Sequence, residues 1–172
     1  ESSGNLAYGV DWKLSRARLN FLRTDHGSCN AIEVPEGEHV EPLGTAGIVR
    51  SGTDVTVVAL AAMVPRALKA AEILKEDHGV SAEVVDVRCL VPLDTQTILD
   101  SVSRTGRLVT AEENPRLCGW GAEIASIVTE EIFWNLDGPI VRVTTPHIPL
   151  PSADALEDAV LPVSYTHLRA HE

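Results

Sequence analysis

Residues 54–79 read DVTVVALAAMVPRALKAAEILKEDHG, and this stretch decides the fold class of the chain. Its first half, DVTVVALA, is a run of β-branched and apolar residues that ends in small ones, which predicts a buried strand. Its second half has apolar residues at positions 64, 67, 68, 71 and 74, which is the spacing of one helical face. Gly79 follows and predicts the end of the helix, because glycine readily adopts the left-handed conformation common there.

The same succession of strand and helix continues along the chain. Further strands are predicted at SAEVVDVRCL (81–90), RLVTA (107–111) and PIVRVTT (139–145), and a short one at residues 46–50. A second helix is predicted between Asp94 as its N-cap and Gly106 as its stop. A third is predicted at residues 119–134, with Ile124, Ile127, Val128 and Ile132 on one face. This alternation predicts a three-layer α/β/α sandwich with a mostly parallel sheet of about five strands.

Composition shifts divide the chain into four parts. Residues 1–33 have no clear period, and we leave them unassigned, as either an artefactual junction or a disordered segment. Residues 34–45, rich in proline, glycine and glutamate, predict a linker, and residues 46–162 predict the α/β domain. The domain ends in a proline-rich arm and a short helix capped by Ser152 or Asp154. Residues 163–172 form a separate tail.

Net charge and cysteine usage limit the classes of function. The formal net charge of −11 argues against nucleic acid as a partner, because phosphate binding needs a basic patch. The acidic balance serves solubility or docks a basic partner, and we keep both interpretations. Three widely separated cysteines predict a reducing, cytoplasmic location. No apolar run is long enough to span a bilayer, and no His/Cys cluster has the spacing of zinc ligands.

The stretch EENPRLCGWGAEIA (112–125) raises the question of a phosphate site. A dinucleotide fingerprint requires G-x-G-x-x-G, but here Gly119 and Gly121 are followed by Ile124 at the third position. Glu112 and Glu113 are expected to crowd the turn and repel a phosphate. We therefore favour a turn that lets the third helix pack close to the sheet.

Other candidate residues point to structural roles. Asp86 ends a predicted strand, where α/β active sites gather, but without a nearby nucleophile it is expected to bind backbone amides. His147 is expected at the surface rather than at an interface. Trp120 and Trp134 flank the third helix and favour core or subunit contacts. No catalytic, cofactor-binding or metal-binding residue is assigned.

The order and spacing of several pieces resemble a known family. DVRCLVPLD (86–94) and ENPRLCGWGAEI (113–124), together with the flanking segments from residue 34 to residue 162, resemble the C-terminal domain of the transketolase superfamily. The resemblance is strongest to the β subunit of a 2-oxo acid dehydrogenase E1 component, of the pyruvate, branched-chain or acetoin type. It implies a mixed five-stranded sheet with one antiparallel edge strand, at residues 46–50.

The resemblance also implies a function and a set of partners. Such an enzyme decarboxylates a 2-oxo acid with thiamine diphosphate and passes the acyl group to a lipoyl carrier. The diphosphate and magnesium are held by the α subunit, and the activating glutamate lies in another domain of the β subunit. This chain is therefore expected to bind neither cofactor, and to serve assembly with an α subunit, a second β subunit and the E2 acyltransferase. We hypothesise that the glycine turn packs at a subunit interface, which a Trp120→Ala change would test.

The sequence is also compatible with two alternative functions, and its last ten residues depart from the family pattern. The alternatives are a stand-alone, non-catalytic α/β binding or scaffold module, and a nucleotide-binding domain, against which the missing third glycine argues. The tail VSYTHLRAHE (163–172) departs from the family pattern and matches one reading frame of a transposon-end sequencing adapter. We interpret it as non-native read-through, so that His167, Arg169 and His171 have no function.

Overall fold

The computed structural model describes residues 20–23, 29–32, 42–149, 151, 156 and 160–162 of the chain. The chain divides into two compact units, residues 1–42 and residues 43–172. In the first unit, β1 (Asn20–Arg23) and β2 (Cys29–Ile32) form a two-stranded antiparallel sheet. No period in the sequence predicts these strands, because basic and apolar residues are mixed there without alternation.

The second unit is built on a five-stranded sheet in the order β3-β5-β4-β6-β7. Its strands are β3 (Gly47–Arg50), β4 (Val55–Ala59), β5 (Ala82–Asp86), β6 (Leu108–Pro115) and β7 (Val141–Thr145). β3 pairs antiparallel with β5, whereas the other neighbouring strands pair in parallel. The predicted mixed sheet with one antiparallel edge strand is confirmed.

One face of the sheet is covered by α1 (Met63–His78). The helix buries Met63, three alanines and Leu74 against β4 and β5. Gly79 ends it at φ 69°, where its N–H donates to the carbonyl of Lys75 and the N–H of Val80 donates to the carbonyl of Leu74. The bond from Gly79 to Lys75, with Gly79 in the left-handed conformation, is that of an αL cap, and the glycine ends the helix as the sequence predicted.

The opposite face is covered by α2 (Thr95–Thr105) and α3 (Trp120–Ile132). Ile98 and Val102 of α2 pack with Ile124 and Val128 of α3 and with inward-facing residues of the sheet. Helices on both faces complete the three-layer sandwich, which explains why all five residues of β4 are buried. The predicted third helix ends earlier than expected, since Phe133–Asn135 form a 3-10 helix.

Two segments differ from the sequence-based expectation or extend beyond it. β6 continues to Pro115, whereas the sequence predicted a turn from Glu112 onward. The reason is that the Glu112 carboxylate finds partners inside the domain, so that its strand stays in the sheet. Near the end of the chain, Leu161 and Pro162 are buried, and the Arg66 guanidinium donates to the Pro162 carbonyl at 3.0 Å. The candidate caps Ser152 and Asp154 and the tail 163–172 lie outside the described residues.

Candidate functional site

The glycine turn at the start of α3 closes over the carboxylate of Glu112. Glu112 lies on β6, and its side chain is wholly buried. One oxygen, Oε2, accepts a hydrogen bond from the backbone N–H of Gly121 at 2.9 Å and one from the Asn114 amide at 3.0 Å. The other oxygen, Oε1, accepts from the hydroxyl of Thr110 at 3.2 Å. The carboxylate therefore occupies the position at which the N-terminus of a helix attracts an anion.

Arg142 on β7 neutralises this carboxylate. Its Nε donates to Oε1 at 3.0 Å, and its Nη2 lies 3.2 Å from Oε2 and 2.9 Å from Oε1, so that two guanidinium nitrogens contact the carboxylate. The Arg142 side chain is 11% exposed, so that the pair is largely shielded from water. We call these five residues, Thr110, Glu112, Asn114, Gly121 and Arg142, the Glu112 cluster. The cluster ties β6, β7 and α3 together.

Both glycines of the turn are needed for this close approach. A Cβ atom on Gly119 would collide with the Asn114 amide and the Glu112 carboxylate. A Cβ atom on Gly121 would collide with Glu112 and would lie 2.5 Å from the Thr110 hydroxyl. This geometry agrees with the packing interpretation of the turn. Glu112, which was expected to crowd the turn, has its carboxylate inside the turn, against both glycines.

A second buried carboxylate, Glu83 on β5, lies beneath α2. Its Oε1 accepts from the Ser101 hydroxyl at 2.6 Å and from the Arg104 guanidinium at 2.5 Å. The Ser101 hydroxyl also shares a hydrogen bond of 2.7 Å with the hydroxyl of Thr56 on β4. Because every link joins α2 to the sheet, this network has the character of a structural tie.

Outside these two networks, the carboxylates of Asp54 and Asp94 have lowered pKa values. The pKa of Asp54 is lowered first by the hydrogen bond from the Ser81 N–H, at 2.7 Å, and then by the hydroxyl of Thr53. For Asp94, burial opposes ionisation, but hydrogen bonds from the Ala46 N–H and from the hydroxyl and N–H of Thr97 together hold the pKa below its ordinary value. Asp94 is thus the N-cap of α2 that the sequence predicted.

The remaining sequence candidates are not members of these clusters. Asp86 accepts from the N–H of Arg88 at 3.1 Å, the backbone role expected for it. His147 is exposed, on the segment after β7. Cys89 and Cys118 are free thiols. Trp120 is half-buried against the core, so that the Trp120→Ala change would disturb packing as well as any interface.

An open, mostly apolar groove lies at the other end of α3. Trp134 is 93% exposed and Phe133 51% exposed, and their rings meet edge to face at 5.1 Å. The groove beside them has a volume of about 610 Å³, and its lining includes Ala125, Leu136, Asp137, Pro139 and Ile140. We call it the Trp134 groove. The sequence analysis expected Trp134 in core or subunit contacts and did not predict that its side chain is exposed.

The described part of the chain supplies no set of residues for a metal or a membrane span. Among the residues whose placement is given, no group of three or more His, Cys, Asp or Glu side chains is arranged to hold a metal ion. Within the same residues, none of the helices has both the length and the apolar character that crossing a bilayer requires. The buried carboxylates bind groups within the domain, and the aromatic groove is exposed at its surface.

Fold and clusters together define a class of protein: a three-layer α/β domain with one antiparallel edge strand, whose buried carboxylates are engaged within the domain. The family model for the transketolase C-terminal domain matches residues 44–164. The chain belongs to this family.

Relatives and solved structures agree with this assignment. The chain is 49% identical over 130 residues to the pyruvate dehydrogenase E1 component subunit beta of Leifsonia xyli, covering 76% of this chain and 38% of that protein. It is 45% identical over 130 residues to the acetoin:2,6-dichlorophenolindophenol oxidoreductase subunit beta of Cupriavidus necator, with the same coverage. A solved structure, a split-gene transketolase described as an inactive beta4 tetramer, matches with a TM-score of 0.66 and 33% identity, over 83% of this chain and 46% of that one. The chain thus spans less than half the length of these relatives.

Proposed function

We propose that this chain is the C-terminal assembly domain of the E1 β subunit of a thiamine diphosphate-dependent 2-oxo acid dehydrogenase. In the whole enzyme it serves contact with the α subunit and a second β subunit, and docking of the E2 acyltransferase. The similarity to two kinds of subunit beta, of pyruvate and of acetoin enzymes, supports this proposal. The chemistry, in this proposal, takes place in other parts of the enzyme.

The residues of the Glu112 cluster do not fit a diphosphate. A phosphate group at the start of α3 would need the Gly121 N–H and the Arg142 guanidinium, and the Glu112 carboxylate already holds both. A second anion beside that buried carboxylate would meet like-charge repulsion in a poorly screened site. We therefore propose that other parts of the holoenzyme bind thiamine diphosphate and magnesium. In this proposal the residues of this chain carry out no step of the reaction.

The observation that carries the docking role is the exposure of Trp134 beside an apolar groove. Exposed aromatic residues in grooves are frequent anchors of protein interfaces. Residues 117–141 include Glu123, Glu130, Glu131 and Asp137 but no lysine or arginine. An apolar groove in such a stretch favours a partner with basic residues around an apolar anchor, and opposes self-association through this surface. We assign this groove to the basic subunit-binding domain of E2.

Calorimetric titration of an isolated E2 subunit-binding domain into the full chain tests the proposal. We expect one saturable binding event that weakens as salt rises, because charge complementarity is screened. Trp134→Ala is expected to weaken binding about tenfold or more, which corresponds to about 1.4 kcal/mol for loss of an aromatic anchor.

Leu117→Ala is the matched control, since Leu117 is an exposed apolar residue at the opposite end of α3. Its affinity should equal that of the unmodified chain. Absence of binding at low salt, or equal loss in both variants, would count against docking at the Trp134 groove.

A further inference from the structure

The donors around Glu112 form a receptor suited to any small carboxylate, not only to this side chain. The Nε of Arg142 contacts Oε1 at 3.0 Å, and its Nη2 contacts both carboxylate oxygens, at 2.9 Å and 3.2 Å. The Gly121 N–H, the Asn114 amide and the Thr110 hydroxyl complete the set from three other directions. Planar, two-pronged recognition by arginine together with a helix N-terminus is a strong arrangement for binding an oxyanion.

The receptor is closed to ligands from solution as long as Glu112 is present. The Glu112 side chain is wholly buried, and the absence of Cβ atoms on Gly119 and Gly121 is what makes room for its carboxylate. An incoming anion would have to displace a group that is covalently held in place. The effective concentration of the internal carboxylate is therefore far higher than that of an external one.

We propose that the start of α3 is an oxyanion-binding site that the chain fills with its own Glu112 carboxylate, and that removing this carboxylate opens the site to a small carboxylate ion. In a Glu112→Ala variant, Arg142 and the Gly121 N–H lose a shared partner while they remain inside the domain. A buried cation and a buried donor without partners are costly, which provides the driving force for uptake. Acetate has the size of the group removed, one carbon and a carboxylate.

Thermal unfolding of the full chain with increasing sodium acetate at neutral pH tests this proposal. The Glu112→Ala variant is expected to melt below the unmodified chain, and acetate is expected to raise its Tm in proportion to the logarithm of its concentration once this exceeds the dissociation constant. At tenfold excess over the dissociation constant the rise should be about 3 to 6 °C. Sodium chloride at equal ionic strength should not produce this rise, nor should acetate produce it in the unmodified chain.

A second variant separates binding at the cluster from a general effect of acetate. Glu112→Ala combined with Arg142→Met removes the guanidinium but keeps a long side chain, and its Tm should not respond to acetate beyond the chloride control. If Glu112→Ala is unfolded at room temperature, recovery of its circular dichroism spectrum on adding acetate becomes the measurement. Equal responses to acetate and chloride, equal responses in the two variants, or no recovery of the unfolded variant would each overturn the proposal.

Discussion

Gly121 packs its Cα against the Glu112 carboxylate while its N–H donates to the same group. A methyl group at this position would push the carboxylate away from both the N–H and Arg142. Glycine is therefore needed at this position because it has no side chain. Its backbone freedom is not the reason, since its φ is not positive.

Gly121→Ala is expected to lower the free energy of unfolding by about 3 kcal/mol, because overpacking adds to the disruption of a buried ion pair. Urea unfolding of the full chain measures this change. Gly138→Ala is the matched control, because no atom lies within 4 Å of a Cβ built on Gly138. The control should change stability by less than about 1 kcal/mol. Similar losses in both variants would contradict the role given to the Glu112 cluster.

At the scale of residues, the sequence predicted a close-packed turn at Gly119 and Gly121 and an N-cap at Asp94. It did not predict the Glu112 cluster. Glu112 stands beside Glu113 and before a turn-like run, so that both glutamates read as loop residues. Its partner Arg142 lies thirty residues further along, on a strand whose neighbour in the sheet is known only once the fold is known. One signal was present: Thr110 and Glu112 are two residues apart on a buried strand and so share one face.

At the scale of elements, a carboxylate near each end of α2 holds the helix to the sheet. Asp94 caps the first turn and also accepts from the N–H of Ala46, which precedes edge strand β3. The Glu83 carboxylate accepts hydrogen bonds from Ser101 and Arg104, which lie in the last turns of the helix. Local sequence predicted the capping of α2 because cap and helix are adjacent. It could not predict the links to β3 and β5, which are long-range.

Asp94→Ala is expected to cost about 1 to 2 kcal/mol at neutral pH, through loss of the cap and of the Ala46 bond. Because the folded-state pKa of Asp94 lies below its ordinary value of 3.8, this stabilisation is present above about pH 4 and is lost as the pH falls through the folded-state pKa. Unfolding curves at pH 7 and pH 3 should therefore show a smaller difference between variant and unmodified chain at the lower pH.

Asp94→Asn is the control, since asparagine caps helices about as well as aspartate but carries no charge. It should keep most of the stability at pH 7 and should show less acid dependence. An Asp94→Ala penalty that is the same at both pH values would contradict the role of the ionised carboxylate.

At the scale of the whole molecule, the buried carboxylate networks and the exposed Trp134 groove occupy different parts of the α/β domain. The Glu112 cluster and the Glu83 carboxylate lie inside the sandwich, whereas the Arg104 side chain is half-exposed and the Trp134 groove lies on the surface at the end of α3. Alternating strands and helices predicted the layers, because each amphipathic element must bury one face. The exposure of Trp134 was not predictable, since an aromatic residue at a helix end reads equally well as core.

In the proposed function, this domain supports a reaction that other parts of the enzyme carry out. The most direct test is the rate of pyruvate decarboxylation by the purified full chain with thiamine diphosphate and magnesium, compared with the same mixture without protein. We predict equal rates, because the buried carboxylates of the domain are committed to internal ties and the Glu112 cluster has no room for a diphosphate. Turnover above the protein-free rate that follows the concentration of the chain would contradict the account.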